Sequence, residues 1–367
     1  MLEHILIWAR GATLDNAYSR DRVVFRLLQQ SGIRLSTFSP SISAIGDIEA
    51  MLRRAPLVDA VWVPSFRQRD VAAAARFARR RVIPLIFDPL ISAYDKQVNE
   101  RGKFSADSAA ARWLLKQERN RFDRADILIA DTQGHADYFA EQLAVPRERI
   151  VLLPVGADES IFTPQPPRLP STLARLRVLF YGSFIGLHGV PTIVDAIRRY
   201  GGPPVEFHFV GDGPMRADAE RALAPYARDG GTVSVRFEPW LDSAALTARI
   251  GAADIVLGVF GTSGKALRVV PNKVYQALAV GRPVITADTP AFDCRFRAAD
   301  PAPLAFTAPG DGTALAHRIA AWVDDRSCLP ERARAARQLF ETQFSESHLR
   351  RHLVRELEAR APWEGRR

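Results

Sequence analysis

The sequence predicts an α/β protein made of two doubly wound parallel sheets. Short β-branched or apolar runs alternate with longer stretches of helical period, as in sheets that are covered by helices on both faces. The 367 residues are 47% hydrophobic, which is enough apolar mass for two sizeable cores. A proline-rich stretch near the middle separates two such series of elements, so we expect two domains.

The first half of the chain opens with the apolar run Ile5–Trp8, which predicts the first strand. A helix is expected over Asp21–Ser31, and apolar residues at helical spacing predict a long amphipathic helix over Ser105–Arg124. The other strands of this half are expected at Ile33–Phe38, Ala60–Val63, Val82–Phe87, Ile127–Ala130 and Ile150–Leu153.

The second half repeats the same alternation. Its strands are expected at Arg177–Tyr181, Glu206–Val210, Val233–Phe237, Ile255–Val259 and Pro283–Ala287. Its helices are expected at Pro191–Tyr200, Arg216–Ala227, Ser243–Gly251 and Asn272–Val280. Glycine-rich loops follow several of these strands, and parallel sheets bind ligands at the carboxyl ends of their strands.

Five prolines fall between Pro154 and Pro170, and their fixed φ angles suit a connector. We therefore expect one domain over residues 1–163 and a second over residues 164–344. A terminal segment over residues 345–367 would contain the basic amphipathic helix Ser345–Arg360. Two open sheets joined in this way are expected to face a cleft, where such folds bind their ligands.

The charge balance favours anionic partners, because 50 lysine and arginine residues against 41 acidic ones give a net charge of +9. Nucleic acid is disfavoured, since the arginines are dispersed and no aromatic and basic platform accompanies them. The apolar runs are far shorter than the roughly 20 residues that span a bilayer, and the first residues lack the form of a secretory signal. The isolated cysteines Cys294 and Cys328 suit a reducing compartment, so we expect a cytoplasmic protein.

The loop after the first strand of the second half is punctuated by Gly182, Gly186 and Gly189 and leads into a helix that opens with Pro191. Glycines let backbone N–H groups approach a phosphate, and the start of a helix adds positive potential. A tight turn without a ligand explains the same glycines equally well. Their spacing does not match the dinucleotide fingerprint, which disfavours nicotinamide and flavin dinucleotides.

A second loop, Gly261–Pro271, places Lys265 and Arg268 before a helix that carries Lys273 in its first turn. We expect Asn272 to cap that helix and the glycine after Val280 to end it. Three cations beside a helix start can hold a diphosphate, although solvated lysines would give the same pattern. A Walker loop is excluded, because alanine follows the lysine where that motif has serine or threonine.

With the turn Gly211–Pro214, these motifs resemble the GT-B glycosyltransferases, and among them the retaining family 4 type that uses nucleotide sugars. The resemblance covers most of the chain and rests on motifs in the order of the family. They are Leu153–Asp158 with Phe162, Tyr181–Phe184 ending in His188–Val190, Gly211–Pro214, and Pro271–Lys273 leading to Ala279–Ile285.

The resemblance implies a donor site in the second domain and departs from the family at four positions. Ser183 and His188 stand where the first loop of the family usually has arginine and lysine, and Arg268 and Gln276 stand where it has paired glutamates. We hypothesise that Lys265 and Arg268 replace the lost cations and that the Gln276 amide still binds the ribose. The implied donor-binding residues are Gly182, Ser183, His188, Gly211, Asp212, Lys265, Arg268, Asn272, Lys273 and Gln276.

The first domain would bind the acceptor. Asp88 stands where the family often has a histidine near the reacting sugar, and a carboxylate there could accept a proton or simply start a turn. Gly11 and Asp95 are expected to contact the acceptor. Asp88, Lys265 and Arg268 are the candidate catalytic residues, because fixed cations stabilise the departing diphosphate. The resemblance implies no cofactor and no obligatory metal.

The expected activity is transfer of a sugar from a nucleoside diphosphate to an acceptor hydroxyl, with retention, in bacterial glycan or glycolipid synthesis. The acceptor is a glycan, a glycolipid or a small molecule. Two other classes stay open: a non-catalytic nucleotide-binding or membrane-peripheral protein of the same architecture, and a nucleotide-sugar epimerase. Two interpretations of the last helix stay open. Its arginines touch lipid headgroups at the inner membrane surface, or the helix crosses back onto the first domain. These arginines are Arg350, Arg351, Arg355 and Arg360.

Overall fold

The computed structural model describes residues 2–11, 17–167, 174–227, 231–298 and 300–360. It divides into two compact units, Met1–Gly156 together with Glu346–Arg367, and Ala157–Ser345, hereafter the first and the second unit. The division after Gly156 falls inside the proline-rich segment, of which Pro170 lies outside the described residues. The chain therefore passes from the first unit to the second and then returns to the first.

The first unit contains a parallel sheet of six strands in the described part of the chain, in the order β2-β1-β3-β4-β5-β6. The strands are β1 His4–Trp8, β2 Arg34–Phe38, β3 Ala60–Val63, β4 Leu85–Phe87, β5 Ile127–Ala130 and β6 Ile150–Leu152. The helices between them are α1 Ser19–Gln30, α2 Gly46–Leu52, α3 Val71–Arg81, α4 Ala109–Phe122 and α5 Gln133–Glu141. Strand order reverses between β1 and β3, which makes the carboxyl ends of these two strands a topological switch point.

The second unit also contains a parallel sheet of six described strands, in the order β12-β11-β10-β7-β8-β9. Its strands are β7 Leu176–Tyr181, β8 Val205–Val210, β9 Val233–Glu238, β10 Ile255–Leu257, β11 Val284–Ala287 and β12 Leu304–Thr307. Its helices are α6 Val190–Arg199, α7 Arg216–Leu223, α8 Ser243–Gly251, α9 Asn272–Val280, α10 Gly312–Asp324 and α11 Leu329–Gln343. This is the strand order of dinucleotide-binding sheets, with the switch point between β7 and β10.

The last described helix, α12 Glu346–Glu358, packs on α1 of the first unit. Its apolar stripe of Leu349, Leu353 and Leu357 is buried in the core of that unit. Arg26 pairs with Glu346 at 2.8 Å and holds the start of the helix. The apolar face of α12 is therefore covered by protein and is not offered to a lipid surface.

The prediction of two parallel α/β sheets is confirmed, with differences at the edges of elements. The strand predicted from Val82 begins only at Leu85, because Val82 ends α3 in the left-handed conformation with φ 55°. Strand β12 was not expected, and neither were α2, α3, α5, α10 and α11. Asn272 does not cap α9 as expected: Pro271 occupies the cap position and Asn272 is the first helical residue.

Candidate functional site

Three loops meet at the carboxyl edge of the second sheet, beside its switch point. They follow β7, β8 and β10, and they contain Gly182–Gly189, Gly211–Pro214 and Gly261–Pro271. Sheets of this strand order bind ligands at this place, because loops from the two sides of the switch point diverge and leave a crevice. The residues predicted to bind the donor all lie on these loops or in the first turns of α9.

The glycines of these loops are required by loop-to-loop packing. A Cβ atom on Gly211 would overlap the carbonyl oxygen of Gly182, and one on Gly213 would overlap that of Ser183. A Cβ atom on Gly189 would likewise overlap the backbone of Phe260. Since all three have positive φ angles as well, a side chain at any of them would strain the backbone. The glycines thus bring the backbones of separate loops into contact at one edge.

Two polar side chains pack against Gly182, in the room left by its missing Cβ atom. Measured from the position that a Cβ atom would take there, Nδ1 of His188 lies at 3.0 Å and Nζ of Lys273 at 3.2 Å. Both atoms are buried, and neither has a hydrogen-bond partner among the described residues. Lys273 belongs to the first turn of α9, where the free N–H groups of the helix add positive potential. The arrangement places two unpartnered polar atoms beside a region of positive potential.

Burial sets the protonation of both groups. It lowers the pKa of Lys273 to about 7, because a desolvated ammonium is costly. Burial, together with the charges of Lys273 and Lys265, lowers the pKa of His188 to about 2. His188 is therefore a neutral imidazole at physiological pH, which can donate one N–H to a ligand. Lys273 is poised to take up a proton when an anion arrives.

Gln276 is held by a tyrosine that the sequence analysis did not single out. The hydroxyl of Tyr181 lies 3.0 Å from Oε1 of Gln276 and 3.1 Å from the carbonyl oxygen of Lys273, and it shares its single proton between these two acceptors. Burial raises the pKa of Tyr181 well above its usual range, so the hydroxyl remains a donor. With Oε1 engaged, the side-chain amide of Gln276 presents its N–H group as the remaining polar function.

The other donor-site candidates lie on the same loops with different exposure. Lys265 is half-buried, and Nη1 of Arg268 folds back to 3.2 Å from the Cβ position of Gly264. Ser183 and Asp212 are exposed. Asp212 accepts a hydrogen bond from the backbone N–H of the next residue at 2.7 Å, as in a tight turn. Of these four residues, Lys265 is close enough to His188 for its charge to lower the pKa of the imidazole.

Asp88 of the first unit is buried in an ion pair. Nε of Arg20 donates to both carboxylate oxygens, at 2.9 and 3.2 Å, and both side chains are almost fully excluded from solvent. Burial raises the pKa of Asp88 to about 6 despite the attraction of Arg20. Asp131, which is itself hydrogen-bonded to His135, and Asp21 add negative charge nearby. Asp88, the residue directly after β4, is therefore one member of a buried network of charged side chains.

The two acceptor-site candidates lie on different loops of the first unit. Gly11 follows β1, is exposed and has φ 66°, and its backbone N–H donates to the Ser39 hydroxyl at 2.8 Å. Asp95 is buried and accepts a hydrogen bond from Nδ2 of Asn99 at 2.8 Å. The segment that begins at Asp95 supplies Gln97 to the wall of a cavity in this unit.

The described residues contain no group of three or more His, Cys, Asp or Glu side chains that could hold a metal ion. Metal-independent transfer stays a prediction.

No described helix combines the length and the apolar character needed to cross a membrane. Besides Tyr181, sequence reasoning missed Arg20 and the cavity-lining arginines of the first unit, because nothing local in the sequence distinguishes them from the other cations.

Comparison with protein families matches both halves of the chain. A model described as "Glycosyl transferase 4-like domain" matches residues 4–156, and one described as "Glycosyl transferases group 1" matches residues 175–325. Among curated proteins, the chain is 25% identical over 243 residues to the protein named as the colanic acid biosynthesis glycosyltransferase WcaL of Escherichia coli strain K12. That match covers 65% of this chain and 58% of the relative, so the chain spans less than two thirds of it.

Solved structures share the fold at low sequence identity. The sucrose-phosphate synthase of Thermosynechococcus elongatus superposes with a TM-score of 0.72 at 16% identity, over 98% of this chain and 100% of the other. Anabaena Alr3699/HepE in complex with UDP superposes with a TM-score of 0.67 at 15% identity, over 97% of this chain and 100% of the other. At these identities the likeness concerns the fold.

Proposed function

Since this chain belongs to the GT-B glycosyltransferases that join a glycosyl transferase 4-like domain to a group 1 domain, we propose that it uses a nucleoside-diphosphate sugar as donor. The second unit binds this donor, and the first unit binds the acceptor whose hydroxyl receives the sugar. The observation that carries the proposal is that Nδ1 of His188 and Nζ of Lys273, both buried and without a hydrogen-bond partner among the described residues, pack side by side against Gly182 at the start of α9.

The charge chemistry of these groups suits a diphosphate. A protonated Lys273 supplies a point charge and the neutral His188 an N–H donor, while Lys265 and Arg268 lie on the adjoining loop. During transfer, the bond from the sugar C1 to the diphosphate oxygen breaks and a bond from C1 to the acceptor oxygen forms. Negative charge develops on the departing diphosphate, and fixed cations lower the barrier by stabilising that charge.

Retention of configuration and metal-independence are part of the proposal, because the motif order of the second unit is that of the retaining family 4 type. Replacement of the usual glutamates by Arg268 and Gln276 shifts the site toward positive charge. Lys265 and Arg268 then provide the positive charge that Ser183 and His188 do not supply. If Lys265→Ala and Arg268→Ala leave donor affinity unchanged in calorimetry, Lys265 and Arg268 do not replace those missing cations.

The proton of the acceptor hydroxyl needs a base, and Asp88 stays our prediction for it. The pKa of about 6 leaves Asp88 ionised at neutral pH and able to take a proton. In the structure its carboxylate is buried against Arg20, so reaching an acceptor would require that pair to loosen. We expect kcat/KM to fall below about pH 6. A rate that is independent of pH from 5 to 8 would exclude Asp88 as the base.

Donor binding is tested with UDP, GDP, ADP and CMP sugars by thermal shift and calorimetry. We expect UDP sugars to bind, because HepE, which shares the fold, was crystallised with UDP. Lys273→Met should weaken binding at least tenfold, whereas Lys116→Met removes an exposed lysine of α4 in the first unit and should change nothing. Equal affinity in both variants would refute the assigned donor site.

Turnover distinguishes the transferase from its alternatives. Release of free nucleoside diphosphate that depends on an added acceptor supports transfer. Isomerisation of the donor sugar without an acceptor would indicate an epimerase, and binding without turnover a non-catalytic protein. The likeness to a colanic acid biosynthesis glycosyltransferase supports acceptors from bacterial polysaccharide synthesis as the first to try.

We also propose that the protein works at the cytoplasmic face of a membrane and contacts it through α2. Leu52 and Leu57 are 79% and 84% exposed, and the aliphatic side chains of Ile42, Ile45, Ile48 and Met51 are exposed beside them. Arg53 and Arg54 are exposed at the end of the same helix, and Arg53 is paired with Glu49 at 2.6 Å. Aliphatic side chains fringed by arginines fit a bilayer that contains anionic lipids.

Vesicle binding tests this surface. Leu52→Glu with Leu57→Glu should abolish co-sedimentation with phosphatidylglycerol vesicles, and pure phosphatidylcholine vesicles should bind the wild type weakly. Trp240→Glu changes a side chain of the second unit that is also exposed and serves as the matched control. Unchanged binding of the double variant would refute the assignment.

A further inference from the structure

A large cavity opens at the switch point of the first sheet. It has a volume of about 760 Å³, and its walls come from the loop after β1, the loop after β3, the segment after β4, and α4. Loops on either side of a reversal in strand order form the ligand site of open α/β sheets. The position alone therefore makes this cavity a candidate ligand site of the first unit.

Four arginines line this cavity, hereafter the arginine cavity. Arg10 follows β1, Arg67 and Arg69 follow β3, and Arg121 lies in the last turn of α4. Among the described residues, none of their guanidinium groups has a hydrogen bond or an ion pair. Arg121 is partly buried: desolvation lowers its pKa, the charge of the buried Glu118 raises it, and the charge of Arg69 lowers it. Arg69 and Arg121 are therefore close enough to repel each other.

The unit supplies carboxylates where an arginine has a structural role. Arg76 and Arg80, on α3, both pair with the buried Asp47, at 2.6 and 2.8 Å. In the lining of the arginine cavity the carboxylate is Asp70, and its Oδ2 accepts a hydrogen bond from the backbone N–H of Arg10 at 2.9 Å. One carboxylate against four guanidinium groups leaves the lining with an excess of positive charge, although Glu118 lies near Arg121 and Asp21 near Arg67 outside the lining. An excess of this kind favours an anionic ligand.

Aromatic side chains supply a second kind of contact. Trp113 is 62% exposed and Phe66 is 42% exposed, and both line the arginine cavity. Phe66 has φ 63°, a costly conformation for a bulky residue that indicates a functional constraint. Exposed aromatic faces pack against the apolar faces of sugar rings, whereas guanidinium forks bind phosphate oxygens in pairs.

We propose that the arginine cavity binds an acceptor that is a saccharide carrying phosphate. The inference rests on the proposed function, since it assigns the acceptor class of a transferase whose donor site lies in the second unit. Arg67, Arg69 and Arg121 hold the phosphate, and Trp113 and Phe66 contact the sugar. The phosphate belongs either to a water-soluble sugar phosphate or to the diphosphate that links a sugar to a membrane lipid.

The binding experiment uses glucose 1-phosphate as the probe and methyl α-glucoside as its neutral counterpart. We expect the phosphate probe to bind and the neutral sugar to bind at least tenfold more weakly. Arg69→Gln and Arg121→Gln should each reduce affinity for the probe about tenfold. Arg34→Gln is the matched control, because Arg34 is exposed at the opposite, amino-terminal end of β2 and changes the net charge equally.

The donor-site variant Lys273→Met separates this proposal from the proposed function. If the probe still binds to Lys273→Met but not to Arg69→Gln, it binds in the arginine cavity. If the probe is lost in Lys273→Met and kept in Arg69→Gln, the phosphate is bound by the donor site and the acceptor proposal is overturned, while the donor site stands. Equal binding of the phosphate probe and the neutral sugar also overturns the proposal.

The source of the phosphate is distinguished with a polyprenyl diphosphate glucose presented in phosphatidylcholine vesicles. Transfer to this lipid with a KM at least tenfold below that for glucose 1-phosphate identifies a lipid-linked acceptor, and the reverse order identifies a soluble one. In either case Arg69→Gln should raise KM with little change in kcat. If Arg69→Gln, which changes an exposed side chain and should fold normally, has wild-type KM for both acceptors, the proposal fails.

Discussion

Nζ of Lys273 lies 4.1 Å from the centroid of the Phe180 ring. The aromatic face gives a buried ammonium a weak partner, while desolvation favours the neutral amine, with a pKa of about 7. Binding of a diphosphate reverses this balance, because an anion stabilises the protonated form. We therefore expect donor affinity to fall as the pH rises above 7, by up to about tenfold per pH unit.

Calorimetry in two buffers of different ionisation enthalpy measures the proton uptake directly. At pH 8 the wild type should take up close to one proton on binding UDP, and Lys273→Arg, which keeps a fixed charge, should take up fewer. Without ligand, the lowered pKa of Lys273 makes the free energy of unfolding depend on pH. The free energy of unfolding of the wild type, relative to that of Lys273→Met, should rise from pH 7 toward pH 10, because in this range Lys273 is protonated in the unfolded chain and neutral in the folded one.

Gly182 and Gly186 lie in one loop and should differ sharply in their tolerance of alanine. A Cβ atom on Gly182 would lie 2.5 Å from Cε1 of His188 at φ 149°, whereas a Cβ atom on Gly186 would meet nothing within 4 Å. Gly182→Ala should displace His188 and reduce UDP affinity at least tenfold. Gly186→Ala should bind UDP as the wild type does. Similar losses in both variants would show that the loop needs flexibility rather than space at Gly182.

Asp88→Asn should destabilise the first unit by about 3 kcal/mol, because the buried guanidinium of Arg20 loses the carboxylate that is hydrogen-bonded to it and keeps only the more distant Asp131 and Asp21. The double variant Arg20→Met with Asp88→Asn should recover much of that loss, since it removes both members of the ion pair. Urea unfolding of both variants and of Arg20→Met measures the coupling. Additive losses would indicate that Arg20 and Asp88 are stabilised independently.

Leu353→Ala should lower the unfolding midpoint of the first unit, although residue 353 follows the second unit in the sequence. Leu353 is fully buried against α1, and truncation of such a leucine costs about 2–5 kcal/mol. Arg351→Ala, on the exposed side of the same helix, should be close to neutral. Fluorescence and hydrogen exchange can assign the loss. A loss confined to the second unit would contradict the packing described for α12.

The sequence-based predictions are accurate where an element has a clear local pattern of apolar residues, and they fail where it has none. Strands Ala60–Val63 and Ile127–Ala130 were predicted to the residue, because each is a buried apolar run bounded by aspartate or proline. Strand β12, Leu304–Thr307, was missed because four residues of mixed character carry no period. The start of β4 was misplaced because an exposed valine, favourable for a strand, serves as the left-handed end of a helix.

The same reasoning explains what could be predicted of the sites. The donor-site candidates lie in glycine loops and one helix start, so each motif is local in sequence and the fold only has to bring the loops to one edge. The arginine cavity draws on segments that are far apart, and in a chain with 50 lysine and arginine residues no local pattern marks the four that line it. Likewise, the sequence placed Asp88 at the end of a strand, but only packing reveals that Arg20 covers it.

The return of the chain to the first unit has a consequence for synthesis on the ribosome. Residues 1–156 emerge before residues 157–345, yet helix α12, which covers one side of their core, emerges only after all of residues 157–345. At about 5–20 residues per second, the nascent amino-terminal part waits many seconds with the α1 surface bare. The middle of the polypeptide can finish folding before its beginning does, and chaperones that shield apolar surface would find their binding site on α1 during that interval.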